Sequence, residues 1–448
     1  MTWSGRTRYA QRPGRLVTNG TAKGIDDKMV ETVLFFDPFK AGHRLHSLVA
    51  YVRGLQTHPD IKVVFAVHEW VAERALDILD GNIPSNVTFH PLASEQEGIV
   101  SQTRRDILGS LRGIHLAESI ANSHGARNIY FMHFDTFKIA VLIRIFQNSK
   151  FKYSGLIYKA TYHYECLFKD KFTKAERLSS LINLYIIKTL LRSKNVCVLH
   201  SLDNHAPALI SSSANTEKFV GVRDGLSPPL EMRVVEDVPD LWLKKANKFL
   251  IFGALSQRKG IFQLLDAITY MNGDEISSSG FLFCGKIDDT SRDQFESRVR
   301  RLKAENPSIV IAFIDNYLSD EELWWTLDKC TAVLAPYQRH VGSSGVLRWA
   351  AAAGKPILTQ DFGLVGWESR TWKLGVVVDT SSPAVIAAGM KRFISGDIEA
   401  LGDKKSQSNF ALHHSEGGFA NDILSTLSKN IAATSRKKKL KYEADLEH

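Results

Sequence analysis

Short, wholly apolar runs alternate with longer stretches of mixed spacing along most of this chain. ETVLFFDPF (31–39), IKVVFAVH (61–68), VTFHPLA (87–93), RNIYFMHFD (127–135), NVCVLHS and KFVGV read as strands. LVAYVRGLQTH, the stretch from about Thr103 to Ser123, KIAVLIRIFQN and TKAERLSSLINLYIIKTLLRS read as helices, the last with apolar spacing on one face. FKYSGLIYKATYHY (151–164) is rich in aromatic and β-branched residues and begins as a strand. The strands are apolar throughout instead of alternating, which predicts a parallel sheet covered on both faces over residues 29–225.

GLSPPLEMRVVEDVPDLW (225–242) breaks the pattern with three prolines and acidic residues, and 226–247 is expected to link two domains. The alternation then restarts. KFLIFGAL, GFLFCGK, SIVIAFID, TAVLAPY, PILTQD and LGVVVDT are strand-like. Helical stretches separate them, one opened by a Ser-x-x-Glu capping box at Ser319 and one by Ser382-Pro383. A second α/β domain is expected over 248–415, and a last helix at 416–435 is placed to return to the first. The fold class is thus α/β, with two doubly wound Rossmann-like domains facing across a cleft.

Composition narrows the chemistry. The 448 residues are 44% hydrophobic and 23% charged, as in soluble globular proteins. No apolar run approaches the roughly 18 residues of a membrane-spanning helix. The N-terminal stretch is basic without a following apolar run, unlike a secretory signal. The four scattered cysteines, Cys166, Cys197, Cys284 and Cys330, fit reduced thiols in a cytoplasmic compartment better than a disulfide or zinc framework. Of the net charge of +9, most sits in two tails expected to be solvated. Residues 1–28, read as a disordered tail, carry six basic residues against two acidic, and 436–448 five against three. A nucleic-acid stripe would lie on the folded body, so no nucleic-acid partner is expected. Peripheral contact of the tails with an anionic inner membrane face is the rival to simple solvation.

Ligands of open α/β sheets sit at the carboxyl ends of the strands, so polar residues there carry most weight. Gly253 to Gly260 (GALSQRKG) lies between a strand and a helix and offers Arg258 and Lys259 to an anion. Tyr337 ends a strand, and QRHVGSSG then leads into the helix VLRWAAAAG. There Gly342, Ser343, Ser344 and Gly345 present backbone amides and two hydroxyls, the groups that a diphosphate needs, although a plain helix cap has the same composition. Gly42-His43 follows the first strand, where glycine allows a tight turn against a ligand or an ordinary surface loop. His133 stands at a strand end two residues before Asp135, as either a catalytic or a structural histidine. No compact Asp-x-Asp pair or other metal set is apparent, and no metal or cofactor is expected.

In order and spacing these segments resemble GT-B nucleotide-sugar glycosyltransferases, similar to the retaining family 4 enzymes (glycosyl transferases group 1). The resemblance spans nearly all of 31–430 and is strongest over 248–380, through FGALSQRKG, FLFCGK, the AAAAGKPIL run and DFGLVG. It implies a nucleotide diphosphate sugar held between the two domains and a sugar passed to a glycan or lipid-linked acceptor, as in polysaccharide biosynthesis. It implies retention without metal, with oxygen of the leaving phosphate taking the acceptor's proton. Lys259 falls on the family's diphosphate-binding lysine, and His133 on its histidine beside the donor sugar. Ala254 replaces a family arginine, for which Arg258 can compensate. The two family glutamates are also replaced, by Val341 and Trp349, leaving His340, Arg348 and the downstream Glu368 as polar groups near their places. A silent GT-B binding or scaffold protein, or a nucleotide-sugar epimerase or hydrolase on this fold, are the alternatives.

Overall fold

A computed structural model of the chain describes residues 31–40, 44–93, 106–160, 172–214 and 216–430. The two basic tails, Gly42, His43 and Cys166 lie outside them. The first sheet holds β1 (Glu31–Asp37), β2 (Ile61–His68), β3 (Val87–Leu92), β4 (Asn128–Phe131), β5 (Lys152–Ile157), β6 (Val196–Ser201) and β7 (Phe219–Gly221). Its order is β3-β2-β1-β4-β5-β6-β7, and every pairing is parallel. Among the described residues, six α-helices connect the strands: α1 (Arg44–Gly54), α2 (Glu69–Leu79), α3 (Ile107–Ser123), α4 (Phe134–Phe146), α5 (Lys174–Arg192) and α6 (His205–Ala214).

The second sheet holds β8 (Asn247–Phe252), β9 (Ser279–Cys284), β10 (Val310–Ile314), β11 (Ala332–Ala335), β12 (Ile357–Gln360) and β13 (Gly375–Val378). These run in the order β10-β9-β8-β11-β12-β13, again all parallel. Its larger helices are α7 (Ile261–Ile268), α8 (Asp289–Glu305), α9 (Asp320–Lys329), α10 (Gly345–Ala352), α11 (Gly363–Thr371), α12 (Pro383–Ile394) and α13 (Lys404–His413). The Ser319 side chain accepts from the Glu322 amide while Glu322 accepts from Ser319, closing the capping box that the sequence spells.

Each sheet is sandwiched between two apolar layers. Such double coverage is why the strands read as continuous apolar runs. Val235, Val238 and Trp242, within the stretch expected as a linker, are buried in the core of the second domain. A last helix, α14 (416–430), leaves the second domain and buries Phe419, Ala420, Ile423, Leu424 and Leu427 against α1 of the first. Arg223 holds it there through a salt bridge to Asp422 at 2.5 Å.

The strand orders place the chemistry. In the second sheet the direction of winding reverses between β8 and β11, and in the first between β1 and β4. Ligand crevices open at such points. The loops after β8 and β11 carry Lys259 and the Gly/Ser stretch, and the loop after β4 carries His133.

Candidate functional site

The turn after β8 is built around glycine. Gly253 adopts φ +97°, and a Cβ there would meet the Lys259 ammonium. Gly260, at φ +74°, caps the 3-10 turn Gln257–Lys259, and a Cβ there would strike the Pro336 carbonyl. Only a residue without a side chain lets this turn lie against the end of β11.

That packing buries Lys259, which is 9% exposed. Its Nζ donates to the Tyr337 hydroxyl at 2.8 Å and to the Phe252 carbonyl at 3.4 Å, and it lies 4.7 Å from the Tyr337 ring. These partners are all neutral. Burial would raise the Tyr337 phenol, but the Lys259 charge and the bonds from Lys259 and Ser344 outweigh it and hold it below its ordinary value. The Tyr337 and Ser344 hydroxyls share a hydrogen bond of 2.6 Å. Ser344 is the N-cap residue of α10, and its side chain, turned to Tyr337, makes no cap hydrogen bond. The helix therefore starts with amides that no capping side chain covers, next to a buried cation.

Arg258 donates to His340 Nδ1 at 3.0 Å, and His340 Nε2 pairs with the Ser343 carbonyl at 2.9 Å. A ring that accepts from a guanidinium at Nδ1 must carry its proton on Nε2. Burial pushes the His340 pKa down to about 4, and Arg258, Lys259 and Lys159 push the same way. Lys159 belongs to the first domain, so cations from both domains converge on the Gly/Ser loop. His133, between β4 and α4, stacks on Tyr158 at 4.7 Å and 12°. The Tyr158 amide donates to Asp135, and the Tyr158 carbonyl faces Gly342. His133 and the Gly/Ser loop are thereby brought together across the cleft.

The remaining candidates fall on the other side of the same loop. Ser343 donates to Asp224 of the first domain at 3.0 Å, and Arg348 pairs with the same carboxylate at 2.6 Å. Glu368 is buried beside them, and burial raises its pKa to about 8 against the opposing charge of Arg348, with Asp203 and Asp224 adding to the rise. It is therefore protonated at neutral pH. The expectation that both serine hydroxyls wait for a ligand is revised: one is bonded to Asp224, the other to Tyr337. Val341 packs with Phe172 and Phe362, and Trp349 is buried 6.0 Å from the Trp324 ring. Sequence reasoning missed Tyr158, Lys159, Asp203 and Asp224. All four lie just past the carboxyl ends of β5, β6 and β7, and that position was the signal available.

Residues 236–409 match the family model of glycosyl transferases group 1. That segment, in the second domain, is what the chain shares with the group 1 glycosyltransferases. The fold agrees with solved structures over nearly the whole chain. HepE of Anabaena, solved in complex with UDP, is 14% identical with a TM-score of 0.60, covering 90% of this chain and 100% of that one. Sucrose-phosphate synthase of Thermosynechococcus elongatus is 13% identical, with a TM-score of 0.59 over 92% of this chain and 99% of that one. The E. coli trehalose-6-phosphate structure with bound UDP-2-fluoro glucose is 10% identical, with a TM-score of 0.64 over 89% and 99%. No curated protein sequence matches the chain.

Proposed function

We propose that the glycosyltransferase moves a sugar from a nucleoside diphosphate donor to a glycan or lipid-linked acceptor, with retention and without a metal ion. One observation carries this reading: Lys259 is a buried cation with only neutral described partners, set against the uncapped start of α10. A buried charge left without a counter-ion is costly, and a diphosphate would supply one. UDP or a UDP-sugar in HepE and in the trehalose-6-phosphate structure supports the same reading.

In this scheme Lys259, Arg258 and the α10 amides stabilise the charge that builds on the leaving diphosphate. These fixed positive groups do the work that a divalent cation would otherwise do. His340 is neutral, so it holds the Ser343 carbonyl and the Arg258 guanidinium in place without adding charge. His133, oriented by the Tyr158 ring, faces the donor sugar. An oxygen of the departing phosphate takes the acceptor's proton as the acceptor attacks from the same face.

Lys259→Ala tests the anion assignment. Loss of a charge-assisted hydrogen bond is worth roughly 1.5–3 kcal/mol, so UDP affinity measured by calorimetry should fall by about tenfold or more. Unchanged affinity would remove the diphosphate from this loop. Val341 and Trp349, which the resemblance places where the family has two glutamates, make apolar contacts, and this supports the silent-scaffold reading. A panel of UDP, GDP, ADP, TDP and CMP decides it: no rise in melting temperature with any of them favours a scaffold.

A further inference from the structure

Helix α5 buries one face and is apolar on the opposite one as well. Ser180, Ile187, Leu190 and Leu191 point inward. Leu178 (61% exposed), Leu181, Ile182 and Tyr185 (72% exposed) stand outward in solvent. Lys174 lies one turn before this stripe, and Lys188 and Arg192 follow it. At 100° per residue these seven positions fall within roughly 120° of arc, opposite the buried face. Neighbouring α4 extends the surface with Ile139 and Phe146 (73% exposed). Lys138 on α4 bonds Asn183 on α5 at 2.5 Å, so the two helices lie side by side. The result is an apolar strip with cations at both ends.

We propose that this α4–α5 face docks on an anionic lipid bilayer. Single exposed apolar residues are ordinary, but a contiguous stripe at helical spacing is not. Leucine, isoleucine, tyrosine and phenylalanine suit the boundary between acyl chains and headgroups, while lysines at the ends reach lipid phosphates. The acids nearby are already engaged. Glu176 closes a capping box with Thr173 and pairs with Arg339, and Glu118 is held by Arg144. A second copy of the chain suits the face less well. A two-fold contact would set the stripe on itself and bring Lys174, Lys188 and Arg192 against their own counterparts without carboxylates between them. The Glu176–Arg339 bridge joins the start of α5 to the second domain beside His340, so a bilayer on this face would border the cleft.

The test uses the full chain and reads binding alone, so its failure leaves the donor reading untouched. Vesicles of phosphatidylcholine are compared with vesicles containing about a third phosphatidylglycerol, and bound protein is measured by sedimentation. The chain should bind the anionic vesicles at least about tenfold more tightly, and less tightly as salt rises. Leu181→Asp with Tyr185→Asp should lower that binding at least about tenfold at an unchanged melting temperature, because both side chains face outward. If that pair misfolds, Ile182→Ser with Tyr185→Ser replaces it. Lys174→Ala, Lys188→Ala and Arg192→Ala together should remove the preference for phosphatidylglycerol. No binding by the parent chain, or equal binding by folded variants, would overturn the proposal. So would a dimer in sedimentation equilibrium that the aspartate pair dissociates.

Discussion

Glu368 is a carboxyl group without room to ionise, and that has a measurable consequence. Its folded pKa of about 8 lies above the ordinary 4.5. Between these values the folded state keeps a proton that the unfolded chain releases, so stability is fullest at low pH and is lost as pH climbs through about 8. His340 acts on the acid side. Its folded pKa of about 4 lies below 6.5, so stability falls as pH drops through that interval. The window above 6.5 therefore belongs to Glu368. Glu368→Gln should flatten the loss of stability between about pH 6.5 and 8, worth about 1–2 kcal/mol, as read from melting temperature against pH. Lys259 could be picked out from its place beside glycine after a strand, and His340 through the resemblance, as the neighbour of Val341. The burial that keeps Glu368 protonated could not, nor could the acids that add to it. Asp224 is more than a hundred positions away, and only the assembled cleft brings it to Arg348.

At the scale of the element, the strands of both sheets were legible because they are buried on two sides, whereas α2, α6 and α13 were not read from the sequence. Helix α5 was legible on one face only. Its inward residues carry the 3.6 spacing, and the outward leucines were absorbed into the same period, although solvent instead of core lies against them. The turn after β8 is the element on which the site depends most. Gly260→Ala places a side chain at positive φ and against the Pro336 carbonyl. Left-handed backbone alone costs roughly 1–2 kcal/mol for a non-glycine residue, and the contact adds to it. Calorimetric unfolding should show a loss of at least about 2 kcal/mol, with weakened UDP binding because Lys259 follows the turn. A variant as stable as the parent would mean that the turn has another conformation open to it.

At the scale of the molecule, two domains meet through few polar contacts, and one of them is buried. Arg348 and Asp224 pair at 2.6 Å with little exposure on either side, while Arg339–Glu176 and His46–Asp320 lie nearer the surface. Exposed pairs contribute little. The buried pair behaves differently when one member is lost, because the other is left charged without its counter-ion. Arg348→Met should cost about 3–5 kcal/mol, and Asp224→Leu added to it should recover most of that loss in denaturant unfolding. Simple additivity of the two changes would show that the charges do not sense each other.

Ser343 and Ser344 are adjacent residues anchored to different domains, the first to Asp224 and the second to Tyr337. A hinge motion that carries Asp224 away pulls one end of that peptide unit while Tyr337 keeps the other. The shape of the loop is therefore a function of the angle between the domains. Affinity and hinge angle become conjugate variables. A nucleotide that prefers this loop shape must stiffen the hinge, and by reciprocity whatever pries the domains apart must weaken its hold.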